Sequence, residues 1–315
     1  MKKITLPIFL EFVELRTKVA SVFPMLIGIL WTINHYHTFN WLNTIVFVLA
    51  ALCFDMCTTA INNTMDYKKA VDEEYKQKDN VIGQFNLNYR QMVTIIFVLL
   101  SIAVVLSIVL VFLTDIILLP IGAVCFLIGI FYTFGPIPLS RLPLGEIFSG
   151  VTMGFGIFFI SIFVQNPSLL MTSAWTETVV HLNLHWKSIV LTFVMSVPLI
   201  CLIANIMLAN NLCDYEQDLR NHRYTLVHYL TPRRSLMLYV ILSIVPWIMW
   251  AIYILFGYLP IRSAIAFVPM FFLHFPSIKR FCKKQIKKET FVESIKSFVL
   301  FSAIYVIILG LDSLI

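Results

Sequence analysis

Two stretches of the chain carry the same polar signature: residues 61–67 read INNTMDY and residues 209–215 read ANNLCDY. In each, an asparagine precedes an aspartate by four residues, Asn62 with Asp66 and Asn210 with Asp214, and another acid follows, Asp72 or Asp218. Helical i, i+4 spacing sets Asn62 and Asp66 on one face, and Asn210, Asp214 and Asp218 on one face over two turns. Asp72 falls off that face, so the sequence predicts that the first helix ends before it and the chain folds back. Carboxylates clustered at a helix end are costly unless a cation neutralises them. Mg²⁺ suits the task, because it takes one or two carboxylates and completes its shell with phosphate oxygens and water. Asp66, Asp72, Asp214 and Asp218, with Asn62 as a neutral oxygen donor, could hold two such ions and a diphosphate. Lys68, Lys69, Arg220 and Arg223 could meet the remaining phosphate oxygens, with Asn210 and Asn211 beside them. Helix capping accounts for one such motif, not for two that match. A nucleoside triphosphate is not expected, because the chain has no Gly-x-x-x-x-Gly-Lys loop.

The elements that must position these residues are membrane helices. The 315 residues are 59% hydrophobic and 13% charged, with a mean hydropathy of +0.87, too apolar for a soluble domain. Apolar runs at 19–36, 41–62, 93–113, 115–134, 146–165, 187–209, 237–257, 260–277 and 297–314 predict nine transmembrane helices around a central cavity. The fold class is thus all-α and polytopic, with residues 1–315 as a single domain. The runs are continuous, unlike the alternating segments of a β-barrel. The first begins after charged residues and lacks the cleavage site of a removable signal, so it is read as retained. Of the 23 basic residues, all but Lys187 and Arg262 fall on one side of nine alternating spans. That asymmetry makes the N-terminus and both acidic motifs cytoplasmic, in a bacterial cell membrane. The net charge of +6 fits anionic lipid rather than nucleic acid. The run from Lys279 to Lys288 is read as a lipid-facing anchor. The six cysteines support neither a disulfide framework nor a zinc module.

A diphosphate bound at a membrane surface suggests a lipid substrate, its tail in the cavity and its head at the metals. Mg²⁺ would stabilise the leaving diphosphate as a C–O bond breaks, and apolar walls would keep water from an allylic cation. Asp55, inside the second span, stands about 16 Å along the axis from Asp66 and within about 20° of the same face. An acid there should face a cavity or a partner helix rather than lipid; it could touch the acceptor, shuttle its proton, or be neutral and hydrogen-bonded. A secondary transporter would also carry intramembrane acids, but near the midplane rather than at one surface.

These residues resemble the UbiA superfamily of intramembrane aromatic prenyltransferases, which carries an Asn-x-x-x-Asp-type motif after the second helix and Asp-x-x-x-Asp after the sixth. The matching segments are NNTMDYKKAVD (62–72) and NNLCDYEQDLRNHRYTL (210–226). Three stretches are most similar to the dihydroxynaphthoate polyprenyltransferases: DYKK at 66–69, YTFGP at 132–136 followed by PLGE at 143–146, and DLRNHRYTL at 218–226. The resemblance implies transfer of a polyprenyl group from its diphosphate to 1,4-dihydroxy-2-naphthoate, catalysed through Asp66, Asp72, Asp214 and Asp218. It gives weight to Tyr132 and Glu146 at the substrate, and to Arg16 as cationic partner of the acidic acceptor. The same family also accommodates 4-hydroxybenzoate, haem or glycerol phosphate acceptors. Two positions depart from its pattern: Asn63 stands where an acid is frequent, and Cys213 where an arginine is common.

Overall fold

The computed structural model describes residues 4–69, 76–77, 80–132, 134–135, 138–220 and 223–314. Its helices are α1 (Leu6–Phe12), α2 (Val19–Tyr36), α3 (Trp41–Lys69), α4 (Val81–Gln84), α5 (Tyr89–Leu113), α6 (Leu118–Phe131), α7 (Gly145–Ser149) and α8 (Ile157–Phe163). A hairpin follows, β1 (Met171–Trp175) and β2 (Val180–Leu184). Then come α9 (Trp186–Cys213), α10 (Tyr215–Arg220), α11 (Leu226–Leu230), α12 (Pro232–Leu255), α13 (Ala264–Lys283) and α14 (Phe291–Asp312). Helices dominate because a chain in hydrocarbon must satisfy its backbone internally.

The chain is polytopic and all-α apart from the hairpin. Among the described residues 8 helical stretches are long and apolar enough to cross a membrane, α7 and α8 counting as one through the π-helical turns at Gly150–Gly156. The remaining expected span, 115–134, is α6, whose 14 residues extend only about 21 Å. By contrast α3 and α9, at 29 and 28 residues, reach about 42–44 Å and carry the acidic motifs beyond a roughly 30 Å core.

The chain packs as two compact units, Met1–Ser21 with Trp41–Leu139, and Val22–Asn40 with Ser140–Ile315. In the first, α3 and α5 pair closely because Cys57, Ala60 and Ala103 are small and fully buried. Phe12, Val13, Ile82 and Met92 close the core at one end of this pair. Asn80 and Asn88 cap α4 and α5, each accepting a backbone N–H with its side-chain oxygen.

In the second unit, Gly150 and Gly154 sit against α9: a Cβ on Gly154 would lie 2.6 Å from the Ile200 nitrogen. Glycine is required there by the close backbone approach. Pro198 interrupts the α9 ladder, and the carbonyl it deprives, that of Val194, accepts the Tyr253 hydroxyl of α12 at 2.6 Å. Asn205 ties the same two helices, donating to the Tyr239 carbonyl and the Ser243 hydroxyl. Trp247 and Trp250 pack edge-on to Phe301, joining α12 to α14. All six cysteines are free.

Candidate functional site

The first motif lies in the first unit, at the C-terminal end of α3. The helix runs unbroken through Asn62, Asp66 and Lys68, so the four-residue spacing does put Asn62 and Asp66 on one face. Asp66 and Lys68 are exposed and Asn62 is half-buried. Asp72, the predicted break before it, and the side chain of Lys69 lie outside the described residues. Asn63 is turned to the N-terminal segment: its amide donates to the Phe12 carbonyl at 2.9 Å and to Glu14 Oε1 at 3.1 Å, and its own carbonyl accepts from Asn80.

Asp55 is not an open acid. Its Oδ1 accepts from the Lys18 ammonium at 2.8 Å, its Oδ2 from the Ser21 hydroxyl, and Lys18 also reaches Thr59 at 2.5 Å. Lys18 is buried and the Asp55 side chain is 16% exposed, with both hydrogen-bonded, the condition under which a largely buried ion pair is tolerated. Of the roles open to Asp55 from sequence, the structure shows a hydrogen-bonded contact, made as an ion pair rather than by a neutral acid. Arg16, the expected cationic partner of the acceptor, is exposed; Lys18, two residues on, turns inward to Asp55. Tyr132 sits at the C-terminal end of α6, half-buried.

The second motif is in the second unit and carries a denser network. Asp214 terminates α9, and α10 restarts so directly that the Asp218 N–H bonds the Asp214 carbonyl at 2.8 Å. The Lys287 ammonium donates to Asp214 Oδ2 at 2.6 Å and to Asn210 Oδ1. Asn211 donates to Glu146 Oε1 at 2.8 Å and accepts from Arg223 at 3.5 Å. The Arg223 guanidinium also meets Asp218 Oδ1 at 3.4 Å and the Ser140 carbonyl at 3.0 Å, and its backbone N–H closes a turn onto the Asp218 carbonyl. Arg220 instead folds back on the Glu216 carbonyl and is exposed.

Asp218 is 6% exposed, and burial pushes its carboxyl up to about 6 against the pull of Arg223. Its Oδ2 and the Oε2 of Glu146 are buried without a hydrogen-bond partner among the described residues. The profile of the UbiA prenyltransferase family matches residues 21–299. The chain belongs to that family.

This UbiA-family chain is similar to a 1,4-dihydroxy-2-naphthoate octaprenyltransferase from Bacillus subtilis (strain 168), 27% identical over 211 residues. The match covers 67% of this chain and 61% of that relative, which is less than two thirds of the relative's length. A UbiA homolog from Archaeoglobus fulgidus bound to GPP and Mg²⁺ has the same fold, with a TM-score of 0.66, 12% identity and coverage of 98% and 100% of the two chains. A UbiA homolog from Aeropyrum pernix K1 gives a TM-score of 0.67 at 14% identity over 94% and 96%.

The donor set suits a hard divalent ion. Asp218 retains an unpartnered buried oxygen, and Asp214 already holds a cation. Such an oxygen is one of the few features that native interiors do not leave unexplained. Among the described residues no three His, Cys, Asp or Glu side chains surround one point.

Two residues of this network were missed from sequence. Lys287 belongs to the run read as a lipid anchor, yet it pairs with Asp214, while Arg280 and Lys296 pair with Glu293 and Lys284 with Glu289. Lys287 therefore has a partner at the acidic motif besides any headgroup, while Arg280 and Lys284 remain exposed. Arg141 lies close enough to draw the Asp218 carboxyl down; its one signal in sequence is being the lone base between 135 and 145. Lys287 also delivers positive charge beside Cys213, the position at which the family resemblance implies an arginine.

Proposed function

We propose that this chain is a Mg²⁺-dependent prenyltransferase that moves a polyprenyl group from polyprenyl diphosphate to 1,4-dihydroxy-2-naphthoate, giving CO₂, diphosphate and the reduced (quinol) form of demethylmenaquinone. The observation that carries the reading is the Asp218 oxygen in α10, buried beside Arg223 with no hydrogen-bond partner among the described residues. A purely structural ion pair gains nothing by leaving a buried carboxylate oxygen unmatched. Family membership supports prenyl transfer, and the name of the Bacillus relative supports the acceptor.

In this reading Asp66 and Asp72 of one motif and Asp214 and Asp218 of the other, with Asn62, hold two Mg²⁺ ions. When bound, the metal supplies charge neutralisation for the departing diphosphate. Lys68, Lys69, Arg220, Arg223 and Lys287 meet diphosphate oxygens, and Asn210 and Asn211 keep the surrounding side chains in place. Arg223 is already oriented by the Ser140 carbonyl, so little side-chain freedom is lost on binding. The allylic C–O bond breaks with its electron pair leaving on the diphosphate. The electron-rich ring then attacks the allylic carbon, and the ring carboxylate departs as CO₂. Apolar walls protect the cation from water, while Glu146, Tyr132 and Arg16 are assigned to the acceptor side. The chain works as one catalytic domain over 1–315 with nine crossings. The distribution of basic residues supports an active site facing the cytoplasm at the cell membrane.

Membranes containing the protein, given labelled prenyl diphosphate with dihydroxynaphthoate or 4-hydroxybenzoate, test this directly. Product is expected with the naphthoate alone, only with Mg²⁺, and not from Asp214→Ala or Asp218→Ala protein that still inserts. Prenylation of a different acceptor overturns the substrate; full activity in both variants overturns the metal assignment.

A further inference from the structure

The β1–β2 hairpin takes no part in the proposed chemistry, and its side chains divide sharply by face. Register pairs Met171 with Leu184, Ser173 with Leu182 and Trp175 with Val180, while Thr172 faces Asn183 and Ala174 faces His181. Successive side chains alternate across a strand, so the first set lines one face and is apolar but for Ser173. The second set lines the other and is small or polar. Neither strand carries a charge; Glu177 lies in the turn. Most of the apolar face is open: Trp175 is 62%, Leu182 56% and Leu184 55% exposed, while Met171 and Ser173 are half-buried. An isolated two-stranded hairpin with such a face is at best marginal in water, so something must cover it.

Its position says what does. The hairpin leaves the end of α8 through Leu170, which is fully buried, and the His185 N–H bonds the Leu170 carbonyl at 2.9 Å immediately before α9 begins at Trp186. The α9 helix is about 42 Å long, against a bilayer of about 30 Å of hydrocarbon and 40–45 Å with headgroups. With Asp214 at one headgroup layer, Trp186 and the hairpin lie at the other. Exposed Trp175 and Trp186 are the residue type enriched at that depth. A second copy of the chain is a poorer occupant: a face five residues long and two strands wide offers about 160 Å², far below the roughly 800 Å² per partner of a stable interface.

We propose that the hairpin lies flat in the acyl–headgroup boundary of the leaflet opposite the acidic motif. Its apolar face is immersed in lipid and its Thr172, His181 and Asn183 side points to water. Placed so, it anchors the start of the helix whose other end carries Asn210 and Asp214.

The test uses the full chain in phosphatidylcholine–phosphatidylglycerol nanodiscs holding one protomer each. V180C, L182C, H181C and N183C proteins are reacted with a charged maleimide, with the unsubstituted protein as background for the native cysteines. Residues 180 and 182 should label about tenfold or more slowly than 181 and 183, because a charged reagent is excluded from hydrocarbon. Independently of any cysteine variant, brominated lipid should quench a component of tryptophan emission that W175F removes. Equal labelling of both faces, or no quenching assignable to Trp175, overturns the proposal. Protection that appears only with two protomers per disc overturns it as well, and assigns the face to a second copy.

Discussion

At the scale of single residues, the acids could be read from sequence but their partners could not. A lone aspartate inside a span demands a cation, and Arg16 and Lys18 stand in the same turn; Lys18 is the one buried against Asp55. In the second motif Arg220 and Arg223 are equally plausible by spacing, yet only Arg223 meets Asp218. Lys287 reaches Asp214 across 73 residues, a separation on which local pattern is silent. Its role gives a prediction. In Lys287→Met the diphosphate loses a charge-assisted hydrogen bond, so KM for prenyl diphosphate should rise about tenfold with kcat little changed. The Lys287 side chain is 43% exposed, so the stability cost should stay within about 1 kcal/mol. Steady-state kinetics beside a thermal melt separates the two, and an unchanged KM removes Lys287 from the phosphate site.

At the scale of elements, the contacts of α9 position the second motif, and two of them can be tested by substitution. Gly154→Ala puts a methyl 2.6 Å from backbone and should cost about 1–3 kcal/mol, seen as a lowered Tm in detergent. Gly122→Ala, with open space around its Cβ, should leave Tm unchanged or slightly raised. Tyr253→Phe leaves the Val194 carbonyl without its partner and should cost about 1–3 kcal/mol. In a Pro198→Ala background the restored backbone N–H can serve that carbonyl, so the same substitution should cost less. Equal costs in both backgrounds would mean that the hydroxyl does not stand in for the missing N–H. Helix positions were legible in the apolar runs because hydropathy is a local property. The hairpin was not, since each strand offers only five residues, too short an alternation to stand out between two long apolar spans.

For the whole molecule, membership of the UbiA family and the charge asymmetry between the two ends of its helices make one claim about function. Activity should vanish in EDTA and return with Mg²⁺, while the protein stays folded by circular dichroism, because the helices are held by packing rather than by metal. Sealed, oriented vesicles give the topological counterpart: a tag after Asp312 and a tag in the β1–β2 turn should both be accessible from the side opposite the 210–225 segment. Access to all three from one side would refute the nine-crossing arrangement.

The sequence by itself determined the class of molecule, the approximate position of its spans, the repeated acidic motifs and the family. Each of these is written in contiguous residues or in helical spacing, where chemistry acts over a few ångströms of chain. Only the tertiary structure decided that Lys18 neutralises Asp55, that Lys287 occupies Asp214, and that Asp218 keeps a buried oxygen without a partner among the described residues. Those outcomes depend on how neighbouring helices are rotated and how closely glycine and proline let them approach. Charges distant in sequence are paired by that packing, and spacing along the chain does not encode it.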